Sequence, residues 1–398
     1  MIQQLNDTFT STGAKFFWHQ EAMKNLRNGK GQVVVGHIML TDICNHSCSF
    51  CSVAARGGDS LAFDDVMAYI DILMRHSLRA IILSGGGNPI IFRCKKTGKN
   101  FNDVVDAIHS RGLEIGLITN GMPLRPYDMT PDNRLPTIRE SWGTVRPQTL
   151  DKLTWIRISM SGLDHNEREV FVPDIDPTKT TLGFSYCAHT VFEEPADPHH
   201  GKVSTVGDLI TLDRSKLKTW TFEERIPELT KQIREYVLTY KPKYVRMLPD
   251  CLAVDLIQER SEKLRQMAIE INDGIGEIAF VQTKMPQAPN VCLIGVLHPV
   301  LNCDGYVYPC DSVVLAAAEV GYREGKPNHA FDSPWRICHW SKIGDLYENK
   351  LPKSLIHNPG EQCRGCVFTT QNLILESVVN GTADITPPAE TPVHHNFV

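Results

Sequence analysis

The sequence lacks an excess of basic residues, a secretion signal and any hydrophobic run long enough to cross a membrane. Its 41 Lys and Arg are outnumbered by 46 Asp and Glu, which gives a net charge of −5. This charge balance lacks the excess of basic residues that is typical of proteins binding nucleic acid or an anionic membrane. The N-terminal MIQQLND has no basic-then-apolar signal pattern, and no stretch reaches the ~18 apolar residues of a membrane helix. We therefore expect a cytoplasmic protein that binds neither nucleic acid nor membrane.

Cysteine is too sparse for a small disulfide-stabilised domain. The 12 Cys among 398 residues fall well below the ~8–10% typical of such domains. In a reducing compartment, cysteines clustered at short spacings more often bind metal or carry out redox chemistry. An apolar content of 42% with 22% charged residues is that of a globular protein and excludes global disorder.

Alternating strand and helix patterns predict an α/β fold. Six apolar, β-branched runs read as strands, at residues 33–41, 80–84, 114–119, 155–159, 181–186 and 244–248. Several are separated by segments with helical periodicity. Such alternation implies parallel pairing with right-handed crossovers. Six units predict a partial (β/α)6 barrel, two units short of the closed eightfold form.

The predicted organisation has four parts. Residues 1–32 form an N-terminal capping segment, and residues 33–274 form the partial barrel, after which the alternation stops. Residues 275–370 form a small cysteine-rich domain, and residues 371–398 form a partly disordered tail.

Polar residues follow the predicted strands at the points where the strands end. In a parallel α/β sheet this edge is where active sites are built. The residues concerned are Cys44, Gly85, Asn120, Ser161, His189 and Asp250.

Three cysteines follow the first predicted strand at short spacing. Cys44, Cys48 and Cys51 lie in the stretch CNHSCSFC. Three thiolates in one loop can bind three irons of a [4Fe–4S] cluster and leave the fourth iron open for a substrate or cofactor. The alternative is a zinc site with His46 as a ligand, although zinc sites favour two separated pairs.

This stretch resembles the signature of the radical S-adenosylmethionine (SAM) superfamily, C-x3-C-x-aromatic-C. Cys44, Cys48, Phe50 and Cys51 match every position. The resemblance implies that the open iron binds the amine and carboxylate of SAM. It also implies reductive cleavage of SAM to a 5′-deoxyadenosyl radical that abstracts a hydrogen atom, and a flavodoxin- or ferredoxin-type electron donor.

Three further segments resemble the SAM-binding motifs of that family. Gly85, Gly86, Gly87 and Asn88 follow the second strand, where the family has Gly-Gly-Glu-Pro, so the group that binds the SAM amine is left open. Asn120 lies in the polar turn after the third strand. Ser159 and Ser161 resemble the ribose motif after the fourth strand. A glycine loop taken alone is more often a tight turn.

A second group of cysteines lies after the predicted barrel. It resembles the auxiliary iron–sulfur domains called SPASM and Twitch, and the absence of Cys after Cys366 favours the one-cluster Twitch form. The expected ligands of a [4Fe–4S] cluster, acting as an electron relay, are Cys292, Cys310, Cys363 and Cys366. Either Cys303 or Cys338 could replace one of these ligands, and a structural zinc ribbon is the alternative.

The last two strands supply the candidate catalytic residues. Cys187 or Cys251 could donate a hydrogen atom to a substrate radical and so give epimerisation. Arg246, His189 or Asp250 could instead take a proton during a net oxidation. A single buried Cys is more often a small apolar residue.

The resulting hypothesis is a radical SAM enzyme of oxidoreductase or epimerase type that acts on a small polar metabolite, such as a sugar or aminocyclitol. One alternative is a maturase that modifies a ribosomally made peptide. Modification of tRNA is disfavoured by the net negative charge. The non-enzyme alternative is a zinc-stabilised binding protein.

Overall fold

The computed structural model describes most of the chain. The described residues are 8–10, 13–46, 48, 50–51, 59–121, 124, 145–164, 169–189, 191–192, 219–250, 253–282, 285, 287–311, 335–363, 366–387 and 389–398. All statements below concern these residues.

The described residues contain twelve strands and ten α-helices. The strands are β1 (Val35–Ile38), β2 (Ala80–Leu83), β3 (Glu114–Thr119), β4 (Trp155–Ser159), β5 (Thr181–Ala188), β6 (Val191–Phe192), β7 (Thr219–Trp220), β8 (Tyr244–Pro249), β9 (Ala279–Val281), β10 (Val300–Leu301), β11 (Tyr306–Tyr308) and β12 (Cys338–His339). The helices are α1 (Gln20–Arg27), α2 (Phe63–Arg75), α3 (Phe101–His109), α4 (Pro147–Leu150), α5 (Phe222–Tyr240), α6 (Ile257–Asn272), α7 (Ile294–Leu297), α8 (Gly344–Glu348), α9 (Pro359–Gln362) and α10 (Thr369–Val379).

Ten of these strands form one sheet in the order β12-β11-β10-β1-β2-β3-β4-β5-β8-β9. The six strands predicted from sequence are β1 to β5 and β8, and each is parallel to its neighbour. The predicted α/β fold with a partial barrel is therefore confirmed. Parallel pairing brings the carboxyl ends of these strands to one edge.

The helices between the strands bury the apolar faces that their periodicity predicts. In α2 the buried residues include Val66, Ile70 and Leu73, and α5 buries Phe222, Leu229 and Ile233. Capping boxes fix the starts of two helices, with Asn100 and Asp103 at α3 and Thr221 and Glu224 at α5. These caps satisfy backbone N–H groups that the first turn leaves unpaired.

The sheet extends beyond the sixth predicted strand. β9 pairs in parallel with β8, although the alternation was expected to stop at Gly274. β9 has three residues, too few for a periodic pattern to reveal it. On the other side, β10 pairs in parallel with β1, and β11 and β12 continue antiparallel from it. The cysteine-rich region thus shares the main sheet, and the domain boundaries stay a prediction.

The C-terminal segment differs from the partly disordered tail that was expected. It begins within α10, and its last residues, Phe397 and Val398, are 4% and 0% exposed. The edge of the Phe397 ring packs on Trp155 at 5.2 Å between ring centroids. Burial of these apolar side chains supplies the free energy that orders a Pro-rich tail.

Candidate active site

A cavity of about 350 Å³ is lined by residues along the parallel strands and just beyond their carboxyl ends. Its volume is within the range of small-molecule sites. It brings together most of the site residues predicted from sequence. Those lining it are Cys44, Cys48, Phe50, Cys51, Gly85, Gly86, Gly87, Asn88, Asn120, Ser159, Ser161, Cys187, Arg246 and Asp250.

The three motif cysteines lie in the loop that follows β1. The Thr41 hydroxyl donates to the Asp59 carbonyl at 2.8 Å, which ties the start of this loop to the segment leading into α2. The Cys51 amide donates to the Cys48 carbonyl at 3.1 Å, forming a turn between the last two cysteines. The loop therefore holds its three thiols on one cavity wall.

The donor set at this wall suits an iron–sulfur cluster. Within the described ranges, no group of three or more His, Cys, Asp or Glu side chains is gathered closely enough to hold a metal ion. The fit therefore rests on donor chemistry and shared location, because three cysteine thiols line one cavity and thiolates are the usual ligands of these clusters. His46 also lines this cavity, so the zinc alternative keeps its candidate fourth ligand.

The glycine loop after β2 packs directly against the cysteine loop. The Gly87 amide donates to the Thr41 carbonyl at 2.6 Å, and the Asn88 amide donates to the Ile43 carbonyl at 2.8 Å. A Cβ at Gly86 would lie 2.5 Å from the Thr41 oxygen, and one at Gly87 would overlap the Ile43 oxygen. Close approach between the two loops thus requires glycine at these two positions.

A buried amide network joins the ends of β2 and β3 to the cysteine loop. Asn88 Nδ2 donates to Asn120 Oδ1 at 2.7 Å, and Asn120 Nδ2 donates to Asn45 Oδ1 at 3.0 Å. Asn88 Oδ1 accepts from the Thr119 hydroxyl at 3.0 Å and from the Ile90 amide at 3.3 Å. Both lone pairs of Asn88 Oδ1 accept hydrogen bonds, so the Asn88 side chain links the ends of β2 and β3. An amine ligand would need a different acceptor.

Strands β4, β5 and β8 carry polar side chains into the cavity. Ser159 pairs in register with Ser185, and Ser185 pairs with Arg246. Ser185 and Arg157 also line the cavity, and neither was among the predicted site residues. Their signal was available, because polar residues alternate with apolar ones along β4 and β5.

His189 is not part of the cavity wall. Its Nε2 lies 3.0 Å from Asp164 Oδ2, and Arg225 from α5 also pairs with Asp164. The His189 ring packs against Phe50 of the cysteine motif, with 4.5 Å between ring centroids. His189 thus lies beside Phe50 and outside the cavity lining, and its role as a base stays a prediction. Cys251 lies outside the described residues.

Comparison with known proteins gives one sequence relative. No family model matches the chain. A curated protein of Selenomonas ruminantium, named S-adenosylmethionine-dependent nucleotide dehydratase, is 26% identical over 141 residues, which cover 35% of this chain and 46% of that protein. The match thus spans about half the length of the relative.

Solved structures of similar architecture include two proteins that bind different kinds of molecule. Streptococcus suis SuiB bound to the precursor peptide SuiA has 11% identity and a TM-score of 0.43, covering 84% of this chain and 77% of SuiB. BtrN in complex with AdoMet and 2-DOIA has 12% identity and a TM-score of 0.31, covering 88% of this chain and 92% of BtrN. The described residues contain no helix long and apolar enough to cross a membrane.

The second set of cysteines comes from distant parts of the chain. Burial, followed by the neighbouring Cys366 and Cys363, raises the pKa of the Cys292 thiol. Cys310 and Cys363 pack against the same small apolar cluster as Cys51, built on Met39, Val300 and Tyr308. The two cysteine sets therefore adjoin a shared apolar layer.

The leftover cysteines have different neighbours. The pKa of Cys303 is raised by burial and then by Asp42 and Asp304, so Cys303 faces the loop after β1. Cys338 lies in β12, opposite Val307, and burial raises its pKa to about 12. This arrangement favours Cys292 over Cys303 as the partner of Cys363 and Cys366.

Proposed function

We propose that the chain is a radical SAM enzyme that oxidises or epimerises a small polar metabolite. One observation carries the proposal: the three cysteines of the motif line the same cavity as the glycine loop, Asn120 and the serines of β4. A [4Fe–4S] cluster held there would supply the electron that splits SAM into methionine and a 5′-deoxyadenosyl radical, which takes a hydrogen atom from the substrate.

The cavity wall divides into a SAM side and a substrate side. Cys44, Cys48 and Cys51 would hold the cluster, and Phe50 would pack beside it. The adenosyl part of SAM would lie along the carboxyl edges of the strands, against Gly85, Asn120, Ser159 and Ser161. The deeper part of the cavity, between β4, β5 and β8, is then left for the substrate.

The substrate side carries the groups that would decide the outcome. Cys187 could return a hydrogen atom to the substrate radical, which would give epimerisation. Asp250, at the end of β8, could instead accept the hydroxyl proton of the radical during oxidation. Burial, and then the charge of Arg157, lowers the pKa of Arg246 to about 9, so Arg246 stays protonated at neutral pH and is a poor base.

Cys292, Cys310, Cys363 and Cys366 would hold the auxiliary cluster. Four thiolates leave no open iron, so this cluster would accept an electron without binding the substrate. The shared apolar layer formed by Met39, Val300 and Tyr308 supports a short path between the two clusters. A flavodoxin- or ferredoxin-type protein would supply the first electron.

Closure of the cavity at the amino ends of the strands favours a small substrate over a peptide. Phe9 stacks on Tyr244 at 4.5 Å between ring centroids, and Phe397 packs on Trp155 at the same end. Both contacts lie on the cavity wall.

The test is anaerobic reconstitution followed by iron analysis and measurement of SAM cleavage. The wild type should hold about eight irons per chain and form 5′-deoxyadenosine with dithionite and SAM. Replacing Cys44, Cys48 and Cys51 with Ala should leave about four irons and abolish 5′-deoxyadenosine. A colourless protein that holds only zinc would instead establish the zinc-binding alternative, and transfer of substrate deuterium to 5′-deoxyadenosine would report the reacting position.

A further inference from the structure

Two arginines face the substrate side of the cavity from neighbouring levels of the sheet. Arg246 of β8 pairs in register with Ser185, which itself pairs with Ser159. Arg157 of β4 pairs in register with Gly183, which pairs with Tyr244. Arg246 therefore shares the level of the proposed ribose-binding serine, and Arg157 lies one level deeper.

Both guanidinium groups carry an unsatisfied donor. The Nε atoms of Arg157 and Arg246 are buried and have no hydrogen-bond partner among the described residues. Gln282 Oε1 and the Nε2 atoms of His37 and His298 are also buried without a hydrogen-bond partner among the described residues. All five side chains line this cavity. Buried polar groups are nearly always hydrogen-bonded, so a concentration of unpaired ones in one cavity indicates a missing polar ligand or water.

The two arginines also lack a paired carboxylate. No ion pair to Arg157 or Arg246 forms within the part of the chain that is described. By contrast, Arg225 pairs with Asp164, and Arg260 lies 3.4 Å from Glu223. Isolated buried charge is costly, and paired buried charge is the usual arrangement.

The neighbouring groups offset the charge of this pair only in part. Tyr244, Asp311 and Cys187 raise the pKa of Arg246, although burial and Arg157 outweigh them, and the Arg157 guanidinium lies 5.6 Å from the Trp155 ring centroid. Burial lowers the pKa of His37, and it lowers that of His298 to about 4. Both imidazoles are therefore neutral at pH 7, and they add no charge to the two guanidiniums. The inner wall keeps an excess of positive charge.

We propose that Arg157 and Arg246 bind an anionic oxygen group of the substrate, a phosphate or a carboxylate, inside the barrel below the SAM site. This inference rests on the proposed function and narrows its substrate class from polar to anionic. A guanidinium donates through Nε and a terminal nitrogen to two oxygens of such a group. The Ser185 hydroxyl, in register with Arg246, provides a further donor.

The assignment changes the role predicted for Arg246. A base must lose a proton, and a guanidinium keeps its proton at neutral pH even where burial is strong. Anion binding uses the charge that the site already holds. A substrate phosphate or carboxylate would pair with the two guanidinium charges. The substrate carbon that loses its hydrogen atom would then lie towards the SAM side of the cavity.

The test is calorimetric binding to the anaerobically reconstituted full chain, with SAM present. The probes are ATP, CTP, GTP and UTP, their ribonucleosides, and citrate. At least one triphosphate, or citrate, should bind, and each ribonucleoside should bind at least ~10-fold more weakly than its triphosphate. Triphosphate binding would identify a phosphate, and binding of citrate alone would identify a carboxylate.

Variants distinguish a binding role from a structural one. Arg157→Gln and Arg246→Gln should each weaken the binding probe roughly 10- to 100-fold and leave SAM affinity unchanged. Arg111→Gln, at a half-exposed surface pair with Asp71, is the matched control and should change neither. Because each cavity variant removes an unpaired buried charge, its Tm without probe should stay equal or rise.

Three results would overturn the proposal. The first is that no anionic probe binds, and the second is that the cavity variants and the wild type bind the probe equally well. The third is a loss of SAM affinity in the variants, which would assign the arginines to the SAM carboxylate. A fall in Tm of more than ~5 °C in both variants would indicate a structural role. A wild-type chain that binds anions but never cleaves SAM would instead overturn the proposed function and leave this site standing.

Discussion

The two cysteine sets differ in how the chain assembles them. The first is a short loop after one strand, so its spacing in sequence nearly fixes its spacing in space. The second draws on Cys292, which follows β9, and on Cys363 and Cys366, which precede α10. Its members come near one another only in the folded chain, where Cys363 and Cys366 are neighbours of Cys292. A local set is recognisable as a motif, whereas a dispersed set depends on the whole sheet being folded.

The two sets also differ in their surroundings. The first set lines a cavity that also carries serine, asparagine and arginine side chains, which suits binding of ligands. The second set contains Cys292, a thiol whose pKa burial raises strongly, and it adjoins the apolar cluster that Cys51 also touches. Polar, accessible surroundings permit substrate chemistry, and apolar, closed ones suit an electron relay.

The largest expected effect comes from removing two cysteines of the second set, which should leave the first cluster intact. Cys363→Ala together with Cys366→Ala should remove about half of the iron and abolish substrate turnover, but SAM cleavage without substrate should persist. Iron analysis and 5′-deoxyadenosine formation measure the two results.

Matched single variants sharpen the ligand assignment. Cys292→Ser should lose iron as the double variant does, whereas Cys303→Ser and Cys338→Ser should keep it. Full iron in Cys292→Ser with loss in Cys303→Ser would reverse the assignment of the fourth ligand.

The second prediction concerns the dependence of the first set on its neighbouring loop. Gly87→Ala places a methyl group on the Ile43 carbonyl oxygen, so the cysteine loop must shift. We expect a loss of roughly 3 kcal/mol or more in stability, with loss of the first cluster and retention of the second. Thermal unfolding and iron content measure both effects.

Gly344→Ala is the control for that substitution. Its Cβ would meet Ile72 at 3.6 Å, an ordinary contact, in the first turn of α8. Its stability should change by less than about 1 kcal/mol. Equal behaviour of the two variants would show that close loop packing is not what requires Gly87.

The smallest expected effect is a change in the pH dependence of stability caused by His298. This residue contacts both β1 and the segment after Cys366. Its ring packs on Phe368, just after Cys366, and lies 5.8 Å from the ring of His37 in β1. Burial lowers its pKa to about 4 in the folded chain, below the ~6.5 of an unfolded histidine. Between these values the unfolded chain binds more protons, so stability falls as pH drops from about 6.5 to 4.

The contribution of His298 to this pH dependence should reach about 3 kcal/mol at pH 4. Denaturant unfolding at pH 7 and at pH 4.5 measures it, with His298→Gln as the test variant and His357→Gln, an exposed histidine, as the control. An unchanged pH slope in His298→Gln would mean that burial of this imidazole does not govern acid stability.

Much of the fold could be predicted because its signals are local. Alternating apolar runs identified all six central strands, and helical periodicity identified the buried faces of α2 and α5. β9 and β10 were not predicted because two or three residues are too few to show a period. They form strands only through pairing with β8 and β1. Short strands are defined by their partners.

The candidate site divides in the same way. The motif cysteines and the polar residues at strand ends were predictable, since strand order places them at one edge. Arg157 and Ser185 were missed because their alternation shows which face they share but not that this face encloses a cavity. The separation of His189 from the cavity was also hidden, since Asp164 and Arg225 meet it only in the folded chain.

By itself, the sequence determined the parallel α/β architecture and the spacing of the first cysteine set, because periodicity and a short cysteine spacing are properties of neighbouring residues. Only the tertiary structure decided which cysteines lie near Cys292, which glycines pack against the first cysteine loop, and which buried arginines form no ion pair within the described residues. Those outcomes depend on contacts between distant segments, and burial fixes the energetic value of each charge and thiol only once those contacts exist.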